Sequence, residues 1–163
     1  MAHGFGHRLL VAGLGLAVFC ALALPSPVTP RNGDHRLQVA LRSVRGKCGT
    51  NAEPVSTMWT RDFAFNALYG NCRAGDGRDQ HIWFFFRGRF AGTDTRDSSK
   101  EIIGIWRDDQ TIAFMYVLYR SSDPNCCPTG GGKIVRFRWN GKRVVALDRL
   151  PPSLSRTGEK LGR

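Results

Sequence analysis

Residues 133–148 read KIVRFRWNGKRVVALD, and no other run narrows the possible folds as much. Apolar and basic side chains alternate on either side of Asn140-Gly141, a dipeptide whose residues accept the positive φ angles of a tight hairpin turn. A two-residue turn there sets Trp139 opposite Lys142, Arg138 opposite Arg143, Phe137 opposite Val144 and Val135 opposite Ala146. Val135, Phe137 and Trp139 then share one face of a sheet, and Arg136, Arg138 and Arg143 share the other. Like charges directly opposed are mildly destabilising. The arginine row is therefore either a solvated polar face, with long side chains splayed into water, or a strip that binds anions.

Two further runs have the same texture. HIWFFFRGRFAGT (81–93) predicts a buried strand that turns at Arg87-Gly88, and its IWFFF run reads as core rather than as a ligand groove. EIIGIWRDDQTIAFMYVLYR (101–120) predicts a hairpin turning at Asp108-Asp109. Consecutive hairpins imply an antiparallel meander with helices packed on one face. Upstream, Leu37, Ala40, Leu41 and Val44 recur at helical spacing and predict a helix over about 35–45, capped by Asp34 and ended at Gly46 and Gly49. The stretch 58–69, MWTRDFAFNALY, fits a helical face somewhat better than a strand. The expected fold class is α+β: an antiparallel β-meander sheet of four to six strands with one or two N-terminal helices, stabilised by disulfides.

The N-terminus bears on the compartment. Leu9 to Leu24 carries no charge and follows Arg8, with Ala21-Leu22-Ala23 supplying small residues for cleavage. The run of 16 residues is short for a membrane span. Residues 1–23 are expected to be a signal peptide cleaved after Ala23, and 24–35 a Pro-rich linker. Residues 36–152 should form a single globular domain, and 153–163 a disordered basic tail. Two rivals stand beside cleavage: lipidation of Cys20, disfavoured because Phe19 occupies the place of a small residue, and retention as an uncleaved anchor.

Outside that leader stand Cys48, Cys72, Cys126 and Cys127. An even number in an exported chain points to disulfides. Cys126 and Cys127 are adjacent, and extended neighbours point opposite ways. Pro128 favours extended backbone at Cys127. The two sulfurs are therefore expected to reach separately, one towards Cys48 and one towards Cys72, with Pro124 and Gly130 to Gly132 aiming them. A zinc site would want paired C-x-x-C knuckles, and a redox site one such motif; neither is present. No metal and no cofactor are expected.

Catalytic patterns are equally sparse. TGGGK (129–133) lacks the first glycine of a phosphate loop, and Ile134 stands where that loop needs Ser or Thr. Neither a zinc-protease helix nor a nucleophile elbow occurs. His35 and His81 are the histidines beyond the leader, and Asp108 and Asp109 read first as turn residues. Asp94, Asp97 and Glu101 flank a loop and form at most a weak cation site.

The segment VLYRSSDPNCCPTGGGKIVRFRWNGKRVVALDRLPP (117–152) resembles the LppP/LprE lipoprotein family of actinobacteria. The resemblance rests on Tyr119, Asp123-Pro124, Cys126-Cys127-Pro128, Thr129-Gly130, the VRFRW strand with its glycine turn, and Leu147-Asp148 with Pro151. It extends weakly back to about residue 59 through Asn71-Cys72 and the aromatic strand. The resemblance implies an exported, envelope-attached protein and brings no catalytic residues with it.

The formal charge is +11, from 24 basic and 13 acidic residues, and becomes +10 once Arg8 is removed with the leader. An exported basic protein does not meet the chromosome, so no nucleic-acid partner is expected. Wall polymer, anionic lipid or an acidic protein is the expected partner, with membrane association possible. The reading that follows is an extracytoplasmic, secreted or envelope-associated binding or scaffolding module that is not an enzyme. A secreted hydrolase acting on a polyanionic envelope substrate is the alternative, and a thiol-redox or metal protein comes third.

Overall fold

The computed structural model describes residues 1, 34–72 and 79–158. The leader after Met1, with Cys20, the linker as far as residue 33 and the last five residues of the expected tail lie outside the described residues.

Helix α1 spans His35–Cys48. Asp34 starts it by accepting from the Arg36 backbone at 3.0 Å, which satisfies one of the unpaired donors of the first turn. Its other carboxylate oxygen accepts from the Trp59 indole at 2.7 Å, so the cap also ties the helix to a segment 25 residues further on. Ala40 and Val44 are fully buried, with Leu37 and Leu41 packed beside them, as the helical spacing predicts.

Among the described residues, eight strands form two antiparallel meanders. The first joins β1 (Glu53–Val55), β2 (Phe65–Asn71), β3 (Gln80–Phe86) and β4 (Arg89–Thr93) in chain order. The second joins β5 (Ile102–Arg107), β6 (Thr111–Val117), β7 (Gly132–Trp139) and β8 (Val144–Ala146). A short helix α2 (Ser153–Thr157) follows. The α+β class of antiparallel meanders with helices holds, but the strands divide between two sheets, and the second helix lies at the C-terminal end.

Three layers result. Phe65, Ala67, Ile82 and Phe84 of the first sheet meet Ile102, Ile112, Phe114, Tyr116, Val135 and Phe137 of the second in one core. Leu68, Trp83 and Phe85 point the other way and pack under α1. The first sheet is thus covered on both faces, which explains why IWFFF is apolar at every position. Phe84 lies at the centre, 4.8 Å from the Phe137 ring and 5.7 Å from the Phe65 ring.

The same double coverage overturns the helical reading of 58–69. Phe65 to Leu68 are all buried, and β2 pairs along its whole length with β3. Its neighbours on both faces override the helical spacing of Trp59, Phe63 and Ala67.

The turn of the last hairpin is displaced by one residue. Asn140 Oδ1 accepts from the backbone of both Lys142 and Arg143, at 3.0 and 2.9 Å, and Asn140 N donates to the Arg143 carbonyl. This side-chain turn makes Gly141-Lys142 the central pair. Arg138 therefore faces Val145, Phe137 faces Ala146 and Trp139 faces Val144, so the expected opposition of Arg138 and Arg143 is absent.

The start of the expected tail is ordered. Arg156 in α2 is 3% exposed and donates to Thr95 Oγ1, Ser99 Oγ and the carbonyls of Asp97, Ser98 and Pro151. A buried guanidinium needs such a set of acceptors, and it fixes α2 to the 95–99 segment.

Candidate functional site

The cysteine pairing differs from the expected staple. Cys48, at the end of α1, is bridged to Cys72, just after β2, with Cα atoms 4.8 Å apart. Because α1 lies on the first sheet, these two segments already meet. Cys126 and Cys127 are exposed in the loop between β6 and β7 of the second sheet, sulfur against sulfur. Cys127 N donates to the Pro124 carbonyl, so the pair sits in a turn and the alternation of extended neighbours does not apply. Asp123 organises that loop by accepting from Thr129 Oγ1, Thr129 N and Arg120 N. The hydrogen bonds from Thr129, then that from Arg120, hold its carboxyl below the usual range.

Titratable groups also gather beside the Cys48–Cys72 bridge of the first sheet. Ligand atoms of Cys72, Asp79 and His81 lie within 4.8 Å of one another, yet the Cys72 sulfur is already bound to Cys48. Asp94 accepts from Tyr116 Oη at 2.7 Å and from Ile82 N at 3.1 Å, linking the two sheets. Burial pushes Asp94 above its ordinary value, against the hydrogen bonds that oppose the shift. Asp97 and Glu101, grouped with Asp94 in the sequence, have different neighbours: the Asp97 carbonyl receives Arg156, and the Glu101 carbonyl receives Val117 N.

Of the arginines expected to bind anions, Arg136 and Arg138 lie on the outer face of the second sheet, as alternation along β7 requires, and Arg143 is exposed in the turn after it. Ile134, Arg136 and Arg138 are exposed, while Val135 and Phe137 are buried. Arg136 is already engaged within the chain. Its Nε and Nη2 form a paired contact with Asp148, both at 2.9 Å, and its backbone N donates to the same carboxylate. Those bonds hold the Asp148 carboxyl down at about 2. Arg138 and Arg143 remain exposed and, among the described residues, have no ion-pair partner.

The arginines share this face with apolar side chains that the sequence reading did not assign to a site. The strand registers place Ile103, Met115 and Ile134 in one cross-strand row, and Trp106, Ala113 and Arg136 in the next. Thr111, Arg138 and Val145 form a third row. Trp106 is 41% exposed and Ile134 47%, with Leu147 at 40% beside Arg136. Alternation along β5 alone would have misplaced Trp106, because an irregularity between Gly104 and Trp106 shifts its register. Among the described residues no element covers this face, whereas α1 covers the outer face of the first sheet.

A family model described as LppP/LprE lipoprotein matches residues 59–142, just over half of the 163-residue chain. The chain belongs to the LppP/LprE lipoprotein family. No curated protein and no solved structure matches it. The matched span runs from the loop before β2 to the β7–β8 turn, so it includes Cys72, Cys126, Cys127, Trp106 and Arg138. Membership of the LppP/LprE lipoproteins points to a cell-envelope, extracytoplasmic protein.

Proposed function

We propose that this LppP/LprE protein is an exported, non-enzymatic envelope module that adsorbs to an anionic envelope surface through the outer face of its second sheet. The observation behind this reading is the exposure of Trp106, Ile134 and Leu147 on the face that carries Arg138, with Arg143 exposed in the adjoining turn and neither arginine ion-paired among the described residues. A hydrated wall polymer would engage the arginines and leave the apolar side chains unused. The boundary of an anionic bilayer engages both. Tryptophan favours the level of the headgroups, and each arginine near such a surface contributes about 1 kcal/mol. A second copy laid face to face would instead bring the same cations together.

Sedimentation with vesicles tests this reading. The exported protein is expected to bind vesicles containing anionic phosphatidylglycerol and to ignore purely zwitterionic ones. The Arg138→Gln/Arg143→Gln variant should bind roughly thirtyfold more weakly, the loss of two such contacts. Equal binding to both kinds of vesicle, or an unchanged affinity in the double variant, would remove the reading. Stronger binding to soluble polyphosphate than to vesicles would move the partner to the wall polymers.

A further inference from the structure

The second sheet carries another basic feature, at its far end and of a different shape. A cleft of about 310 Å³ opens between the end of β6, the start of β7 and the segment entering α2. Leu118, Leu150, Pro151 and Pro152 line it, with Lys133 and Arg149. We propose that this cleft binds a small amphipathic anion, an apolar tail carrying a carboxylate or phosphate head.

The lining divides by chemistry. Leu118 and Leu150 pack against the core between the sheets, and Pro151 is buried, so the floor is a continuation of the apolar interior. Among the described residues, the two charged side chains that line the cleft are both cationic, and no carboxylate lines it. Asp148, whose field reaches Lys133, is already held by Arg136. Arg149 has no ion-pair partner among the described residues. A neutral apolar ligand would leave both cations unanswered, and a bare inorganic anion would leave the floor empty. A tail with an anionic head satisfies both parts, the combination usual in small-ligand sites of this size.

The walls are held in place before any ligand arrives. Leu118 N donates to the Gly131 carbonyl at 2.8 Å, and Gly130 N donates to the Leu118 carbonyl at 2.9 Å. A Cβ at Gly130 would collide with that carbonyl, so the glycine run rejected as a phosphate loop has a different use: it lets two backbones meet behind Leu118. The opposite wall is fixed by Tyr119 N donating to the Ser155 carbonyl at 2.7 Å, and by the buried Arg156. Rigid walls reduce the ordering that binding would otherwise require. The cleft is separate from the arginine face. Lys133 stands five residues before Arg138 on β7, roughly 16 Å away at strand spacing, and pairs with Tyr116 on the core-facing register.

The test titrates the exported, oxidised protein with decanoate and with decyl phosphate, following backbone amide shifts and binding heat. Saturable one-to-one binding with shifts at Gly131 to Lys133 and at Leu150 is expected, and the tighter of the two probes identifies the head group. Decanol, acetate and inorganic phosphate should each bind at least tenfold more weakly. Lys133→Gln/Arg149→Gln, with unchanged melting temperature, should weaken binding at least tenfold, and Arg138→Gln/Arg143→Gln should leave it intact. The last variant is also the one expected to lose vesicle adsorption, so the two sites fail independently. Decanol binding as tightly as decanoate, shifts elsewhere than the cleft, or unchanged affinity in Lys133→Gln/Arg149→Gln would overturn the proposal.

Discussion

Arg156 shows how a single residue can decide whether a segment is ordered. From the sequence, SLSRTGEK is polar and follows two prolines, which reads as an unstructured end. Yet its guanidinium lies within 3.3 Å of five acceptors, three of them main-chain carbonyls that would otherwise lack this donor. Hydrogen bonds to a charged group are among the stronger ones, and orphaned acceptors add to the loss. Arg156→Met is expected to lower unfolding stability by about 3 kcal/mol, read from the urea midpoint, while Arg138→Ala should change it little. Asp148 gives a prediction in pH. Its folded pKa of about 2 lies below the unfolded value, so its contribution with Arg136 is present above the unfolded pKa and is lost as pH falls through about 2. Carbon-detected titration should find the Asp148 midpoint near 2 in the native chain, and higher in Arg136→Gln but still below the ordinary carboxylate value of about 3.9, because the backbone N of residue 136 goes on donating to it.

At the scale of elements, the sequence makes legible whatever depends on local chemistry. The α1 stripe, the Asp34 cap, the Arg87-Gly88 turn and the inward set of Val135 and Phe137 all follow from spacing. What failed depends on neighbours remote in sequence. β2 reads as a helix until its burial from both sides is known, and the Asn140 side chain moves a turn that the dipeptide alone places one residue earlier. The cysteines failed for a related reason: which segments lie close is a property of the layers. Cys48 and Cys72 meet because α1 rests on the first sheet, while the 126–127 loop leaves the second. The Cys48–Cys72 bridge closes a separation of 24 residues, so in a chain-entropy account Cys48→Ala/Cys72→Ala should cost about 3.5 kcal/mol. Cys126→Ser/Cys127→Ser, in an exposed turn, should stay within about 0.5 kcal/mol. Non-reducing peptide maps should recover Cys48 joined to Cys72, and Cys126 with Cys127 in a peptide bound to neither; a link from Cys48 or Cys72 to either Cys126 or Cys127 would restore the staple.

For the whole molecule, asymmetry of covering matters more than total charge. One sheet is enclosed by a helix and by its partner sheet, and among the described residues the other is enclosed on one side only. The +11 charge was visible in the composition, and the arginine alternation in β7, but the apolar half of the exposed face was not. Ile103, Trp106, Met115 and Ile134 come from three strands and meet only once β5, β6 and β7 are in register. The two halves should separate in their response to salt. Attraction between exposed charges is screened over about 8 Å at 0.15 M ionic strength, whereas burial of apolar surface is nearly indifferent to it. Adsorption to anionic vesicles should therefore weaken steeply between 50 and 300 mM salt and level off at a residue set by the apolar contacts. Arg138→Gln/Arg143→Gln should flatten that slope and leave the high-salt residue in place. Trp106→Ala should keep the slope and lower the residue, by about fivefold if the indole gives up roughly 1 kcal/mol of burial. If both variants changed only the slope, the exposed tryptophan would play no part in docking, and the bound surface would have to be a hydrated polyanion.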